Sequence, residues 1–306
     1  MTHQPSRLTL NLMKTSDLVS RLDAFFRVDD YPSDDFAEIE VFSREAGIPL
    51  EEYATADFMR WHNGLMLGNC QDVEQVYTLV FPSDEVLAEV VRRAEGRPGF
   101  VFTHHPMDFE TSGRGLIPMG EALLLRLREA GISLYSAHAP LDCHDTISTS
   151  RSLARAAGVR IDGVCAAYHG GQAGVIGSID ETPLDAFVEH LRSAPEVERV
   201  DTHAPGDRVA RVAVVAGGAA FPPLMQDAID RGCDTYLMGD FRVRHGGPWA
   251  DEHRPQFDAF IETAPINLIG GSHYATEALV LRHEMLGWFN SVGLPAEFVP
   301  QEDAWR

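Results

Sequence analysis

Displaced by 135 positions, the chain of 306 residues matches its own pattern of strands and helices. A self-match at one long offset constrains a fold strongly, because it predicts a single structural plan used twice. Leu79 falls on Val214, within apolar runs at 77–81 and 212–216, and the helical run 86–93 falls near Phe221, Leu224 and Ile229. Val101-Phe102-Thr103-His104-His105 falls on Tyr236-Leu237-Met238-Gly239-Asp240, His138 on His273, and Asp142 on Glu277. Apolar strands coincide readily by chance. An HxxxD in register with an HxxxE does so less readily.

Within each half the pattern alternates. A β-rich run at 76–81 precedes a helical stretch at 84–95 and a short apolar run at 100–102; residues 121–130 then read as an amphipathic helix closed by Gly131, and 132–137 as a strand. Residues 164–180 hold glycines among short apolar runs, and 184–191 look helical. This is the grammar of an α/β layered fold. The halves are expected at residues 1–165 and 166–306, each with a mixed sheet flanked by helices.

Against 25 Lys and Arg stand 46 Asp and Glu, a formal charge of −21. That field repels phosphate backbones and anionic membranes, so no nucleic-acid or membrane partner is expected. It also gathers divalent cations, although an acidic surface serves plain solubility as well. The four cysteines lie far apart without a CxxC pair, which suggests neither a thiolate zinc site nor a disulfide framework and fits reduced thiols in the cytoplasm. No window approaches the ~20 apolar residues of a membrane span.

Three segments carry chemistry. His104-His105-Pro106 ends an apolar strand, and Pro106 keeps His105 extended. Adjacent strand residues point to opposite sides, so two such imidazoles can feed two neighbouring ions; paired histidines are also commonly just solvated or hydrogen-bonded in place. In Tyr135-Ser136-Ala137-His138-Ala139-Pro140-Leu141-Asp142, Asp142 follows a strand, where open α/β sheets collect ligands, and reads either as a bridging carboxylate or as a helix N-cap or loop acid. In 266–277, a strand, a glycine turn and a helix put His273 and Glu277 four apart, a chelating spacing that is also frequent on helix surfaces. Gly217-Gly218 belongs to no GxGxxG or P-loop motif and reads as a tight turn.

Together these segments resemble the NGG-interacting-factor-three-like family, whose members often carry the name of GTP cyclohydrolase one, type two. The resemblance runs from about Asp57 onward. It rests on His104-His105-Pro106, the run from Tyr135 to Asp142, Gly239-Asp240 with His245, and His273-Tyr274-Ala275-Thr276-Glu277. Trp61-His62-Asn63-Gly64-Leu65 resembles the family's early segment, and Gly174-Val175-Ile176-Gly177 its central glycine-rich turn. The resemblance implies two similar, intertwined α/β halves, two divalent metal ions between them, and a hexameric ring of identical chains. It implies the ligand set His104, His105, Asp142, His273 and Glu277. His62 stands where an acid is usual, Ala139 and Pro140 where Thr and Asn are common, and Ser272 where Gly is usual. The resemblance places no clear family counterpart for the acidic stretch 33–53.

Two neighbouring divalent ions activate water and polarise carbonyl, imine or phosphoryl oxygens, so a metal-dependent hydrolase of cyclohydrolase type, acting on a small molecule, is the leading expectation. His138, His245 and Asp240 are the candidate acids and bases; His138 reads rather more readily as an orienting partner of a ligand, and His245 equally as an ordinary loop histidine. Imidazole and carboxylate donors suit Zn, Fe, Mn, Co or Ni alike. The competing expectation is a non-catalytic regulatory or metal-handling ring.

Overall fold

In a computed structural model, residues 12–31, 35–110, 115–193, 197, 199–244 and 246–303 are described. His245, Ser33 and Asp34 lie outside them. Two mixed sheets organise the chain. The first has five strands: β1 (Gly64–Leu67), β2 (Gln75–Leu79), β3 (Gly99–Thr103), β4 (Ile132–Ser136) and β11 (Ala296–Phe298), in the order β11-β2-β3-β4-β1. The second has six: β5 (Arg160–Tyr168), β6 (Gly171–Pro183), β7 (Asp201–His203), β8 (Arg208–Val215), β9 (Thr235–Asp240) and β10 (Asn267–Gly271), in the order β7-β10-β9-β8-β6-β5. Each contains a parallel trio, β2-β3-β4 and β8-β9-β10, with antiparallel strands added outside it. Residues 296–298 close the first sheet, parallel to β2.

Parallel strands need both faces covered, which explains why their sequences are apolar at nearly every position. Along β3, Phe100 and Phe102 pack toward helix α1 (Thr15–Phe26), whereas Val101 packs toward α3 (Asp84–Ala94) and α4 (Glu121–Ala130). The second sheet is covered by α8 (Pro222–Asp230) and α9 (Pro248–Ile261) on one face and by α6 (Thr149–Ala156) and α7 (Leu184–Arg192) on the other. Of two short helices, α5 (Ala139–Asp142) follows β4 directly and α2 (Ile39–Glu45) buries Ile39 in the core with Phe58 and Met66. The α4 stop is where the sequence places it, since Gly131 adopts φ 64° after Ala130.

Helix α10 (His273–Arg282) decides where the site forms. Residues 273–281 are all buried. Tyr274, Ala278 and Leu281 pack into the core of the first sheet, while Ala275 and Leu279 pack into that of the second. A helix with apolar contacts all round must lie inside the molecule, and this one places His273 and Glu277 between the sheets.

One expectation is corrected. Gly174-Val175-Ile176-Gly177 is no turn but the middle of β6, hydrogen-bonded to β5 and β8 on its two sides. Its glycines admit close neighbours: a Cβ at Gly177 would overlap the Arg160 carbonyl oxygen.

Candidate metal centre

Every candidate donor sits just past a parallel strand. His104 and His105 follow β3 and are held by their backbone, whose N–H groups donate to the Leu79 and Val80 carbonyls at 3.3 and 3.1 Å. The Thr103 hydroxyl, 2.9 Å from both the Val80 and His105 carbonyl oxygens, stiffens the same turn. His138 and Asp142 follow β4, Asp240 ends β9, and His273 opens the helix after β10.

Glu277 is the centre of the arrangement. Its Oε2 lies 2.8 Å from His105 Nε2, and its Oε1 lies 3.1 Å from His273 Nε2 and 3.5 Å from His104 Nε2. Asp142 Oδ1 approaches His104 Nε2 at 3.5 Å. All five residues expected as ligands therefore converge, and Glu277, only 3 % exposed, is no helix-surface acid. Adjacent His104 and His105 reach different oxygens of one carboxylate.

The rear ring nitrogens of His104 and His273 are fixed from behind, whereas His105 Nδ1 has no hydrogen-bond partner among the described residues. His104 Nδ1 donates to the Ala137 carbonyl at 3.0 Å, which turns Nε2 inward, where it has no hydrogen-bond partner. His273 Nδ1 donates to Asp240 Oδ2 at 3.2 Å, leaving Nε2 facing Glu277. A carbonyl or carboxylate behind each imidazole is the usual support of a metal-ligating histidine. The 3.5 Å separations around His104 are longer than good N–H···O bonds. They match donors sharing a tetrahedral ion, which at bond lengths of about 2.0–2.1 Å sit about 3.4 Å apart. The residues fit a metal.

Burial presses the His104 pKa down, but the Asp142 and Glu277 carboxylates overcome it and raise it to about 9. Likewise burial opposes, and Glu277 and Asp240 raise, the pKa of His273 to about 10. Burial would raise the Glu277 pKa, yet the surrounding imidazoles hold it well below its usual range. His105 is driven by burial well below its ordinary value. Without metal, two imidazolium charges thus stand in for cations. Raised His104 and His273 values mean stabilisation that is complete below the unfolded value of 6.5 and disappears as pH rises through about 9–10. The lowered His105 acts oppositely, its contribution being lost as pH falls below 6.5. In chelator, thermal unfolding should therefore show a maximum near neutral pH and a falling melting temperature from about pH 7.5 to 10. Divalent metal should blunt that fall, because its binding displaces the same protons.

Three further residues belong to the site. His138 comes within ligating range of His104 and His105: one ligand atom from each lies within 4.8 Å of the others, as holds also for His105, His273 and Glu277. Its backbone N–H donates to Asn63 Oδ1 at 2.7 Å, and the Tyr168 hydroxyl lies 3.5 Å from its Nδ1. The Thr149 hydroxyl, which sequence reasoning missed, donates to Asp142 Oδ1 at 2.5 Å. Gly217, read as a turn glycine, has φ +73°, and a Cβ there would overlap Glu277 Oε1. Thr149 gave no signal among ordinary helix-start hydroxyls, and a glycine signals only by lacking a side chain.

The model of one family, Duf34/NIF3 (NGG1p interacting factor 3), matches residues 48–286. The chain belongs to this family. A "GTP cyclohydrolase 1 type 2 homolog" of Pyrococcus horikoshii is 27% identical over 271 residues, covering 87% of this chain and 90% of the relative. One of Deinococcus radiodurans is 26% identical over 242 residues, covering 78% and 84%. Among solved structures, "protein ybgI, unknown function" matches with a TM-score of 0.68 at 20% identity, covering 95% of this chain and 100% of that one. TTHA1606 from Thermus thermophilus matches with a TM-score of 0.64 at 21% identity, covering 95% and 99%. The family fold spans nearly the whole chain. Among the described residues, no helix is long and apolar enough to cross a membrane.

Proposed function

We propose that this Duf34/NIF3 protein holds two divalent metal ions on His104, His105, Asp142, His273 and Glu277 and is a metal-dependent hydrolase of a small molecule. The observation that carries the reading is the position of Glu277, with one carboxylate oxygen facing His105 and the other facing His104 and His273. Bound there, divalent ions supply a Lewis acid and activate water at neutral pH. Asp240 keeps His273 in one tautomer, Ala137 does so for His104, and Thr149 orients Asp142. His138 is the residue for proton transfer, anchored by Asn63 and within reach of the Tyr168 hydroxyl. The relatives' name favours ring-opening hydrolysis of a nucleotide base as the first chemistry to try.

Metal analysis after gentle purification should give close to two ions per chain, and a constant value of one or none after reconstitution would exclude the dinuclear reading. Metal-loaded protein is then screened against nucleotides, phosphoesters and cyclic amides. His138→Gln should lower any rate about 10²–10⁴-fold while leaving most metal bound; Asp142→Asn should lower metal content itself. The hexameric ring rests on the family resemblance, and light scattering during gel filtration tests it: a stable species near the chain mass of 33.8 kDa at micromolar concentration would rule it out.

A second reading has its own observation. The imidazoles and Glu277 are at most 7 % exposed, and a closed centre is the mark of a structural or storage site. Full metal content with no turnover in the screen would favour that non-catalytic role.

A further inference from the structure

Aromatic rings enclose the histidines of the centre, and one of them comes from outside the stretch matched by the family. Phe81 stacks on His105 at 4.3 Å, and Phe109 meets His273 edge-on at 5.4 Å. Phe36 precedes residue 48, where the family match begins. It meets His138 edge-on at 4.5 Å and His105 edge-on at 5.3 Å and is itself 5 % exposed. These contacts place it beside both imidazoles, with Phe81 stacked on His105 and the Tyr168 ring 6.0 Å from His138.

The attachments differ in kind. Phe81 lies just past β2, with its backbone N–H bonded to Gln301 Oε1 at 3.0 Å, so it moves only with the sheet. Phe36 lies on a single turn, Asp35–Glu38, that runs straight into the seven-residue α2. Ile39 anchors that segment in the core shared with Phe58 and Met66, and Glu40 Oε1 lies 3.1 Å from His62 Nε2. His62 holds φ 55° at the end of the helix Ala56–Trp61, directly before Asn63, which carries His138. The segment is held by side-chain contacts, among them the Glu40–His62 hydrogen bond and the burial of Phe36 and Ile39, and not by a strand ladder, and such units open locally at lower cost than a sheet.

We propose that residues 35–45 form a removable cover over the centre, latched by Glu40 on His62, and that Phe36 is the residue that decides what reaches His105 and His138. A ligand approaching those imidazoles from the side of residues 35–45 displaces the Phe36 ring and then lies beside its face or edge. The cover therefore admits compact polar groups and favours ligands with a flat ring that can pack against Phe36. For what it protects, this rests on the metal-centre reading, but its test uses metal-free protein and stands apart from metal content.

The probe is diethyl pyrocarbonate, with modification at each histidine followed by peptide mass spectrometry in chelator. Phe36→Ala should raise the rates at His105 and His138 about tenfold, and Glu40→Gln, which keeps the ring but loosens the latch, by a smaller factor. Phe36→Trp should raise neither. His203, on β7 in the other sheet, reports general loosening and should keep its parent rate. If Phe36→Ala alone raises His203 as well, Glu40→Gln decides. Parent rates at His105 and His138 in Glu40→Gln, and in any folded Phe36→Ala, overturn the proposal.

Discussion

Replacing Glu277 by Gln should strip the protein of metal while leaving its fold recognisable. The side chain keeps its volume, but the charge between three imidazoles is gone, and the oxygen facing His104 and His273 or the one facing His105 becomes an amide nitrogen that cannot ligate. Loss of at least about 100-fold in affinity is expected, beyond the 10–100-fold typical for a group that only supports a ligand. The metal-free protein should suffer too. At neutral pH His104 and His273 carry protons drawn there partly by Glu277, and breaking a buried pair from one side costs about 3–5 kcal/mol. A surface acid would cost less than about 0.5 kcal/mol. Metal content and circular dichroism, with a melting curve in chelator, give the answer together. A variant that binds two ions as tightly as the parent removes Glu277 from the site.

Gly217→Ala should also weaken metal binding, without replacing any of the candidate ligands. The added Cβ would overlap Glu277 Oε1 and sit 3.4 Å from His273 Nε2, so the carboxylate must swing away from both His273 and His104. Overpacking of this kind costs about 1–3 kcal/mol, and a non-glycine residue at positive φ adds about 1 kcal/mol more. Gly232→Ala isolates the second effect, because Gly232 has φ +77° with nothing within 4 Å of its would-be Cβ. Both variants should melt lower. Only Gly217→Ala should lose metal, about tenfold or more in affinity, by titration with a colorimetric indicator. Equal metal binding in the two would mean that Glu277 has room to spare.

The sequence made the strand ends legible because parallel strands are apolar throughout and their ligands follow at once, as in Phe100-Val101-Phe102-Thr103-His104-His105. The i, i+4 spacing of His273 and Glu277 likewise translated directly into a shared helix face. Burial of that helix was not legible, since Tyr274-Ala275-Thr276 and Ala278-Leu279-Val280-Leu281 become core only when two sheets close over them. The glycines of 174–177 misled for a related reason: close packing between strands and a tight turn both select glycine. Phe36 carried no local signal. Its role depends on a tertiary contact made by a segment without a periodic pattern.

The placement of β11 bears on how the chain comes off the ribosome. Thr78 donates its hydroxyl to the Leu281 carbonyl, 203 positions away, and the Phe81 N–H reaches Gln301 across 220. Residues 296–298 then complete the edge of the sheet whose third and fourth strands are followed by His104 and His138. The nascent chain can assemble the local units around β2 and β3, yet it cannot complete their sheet until Phe298 has emerged. Such long-range closure slows folding and leaves the β2 edge unpaired until residues 296–298 have been made. Donors from both sheets can come together only after Glu277 has been made, so any metal would be captured after that point, and residues 1–165 alone would offer it His104, His105 and Asp142 without Glu277.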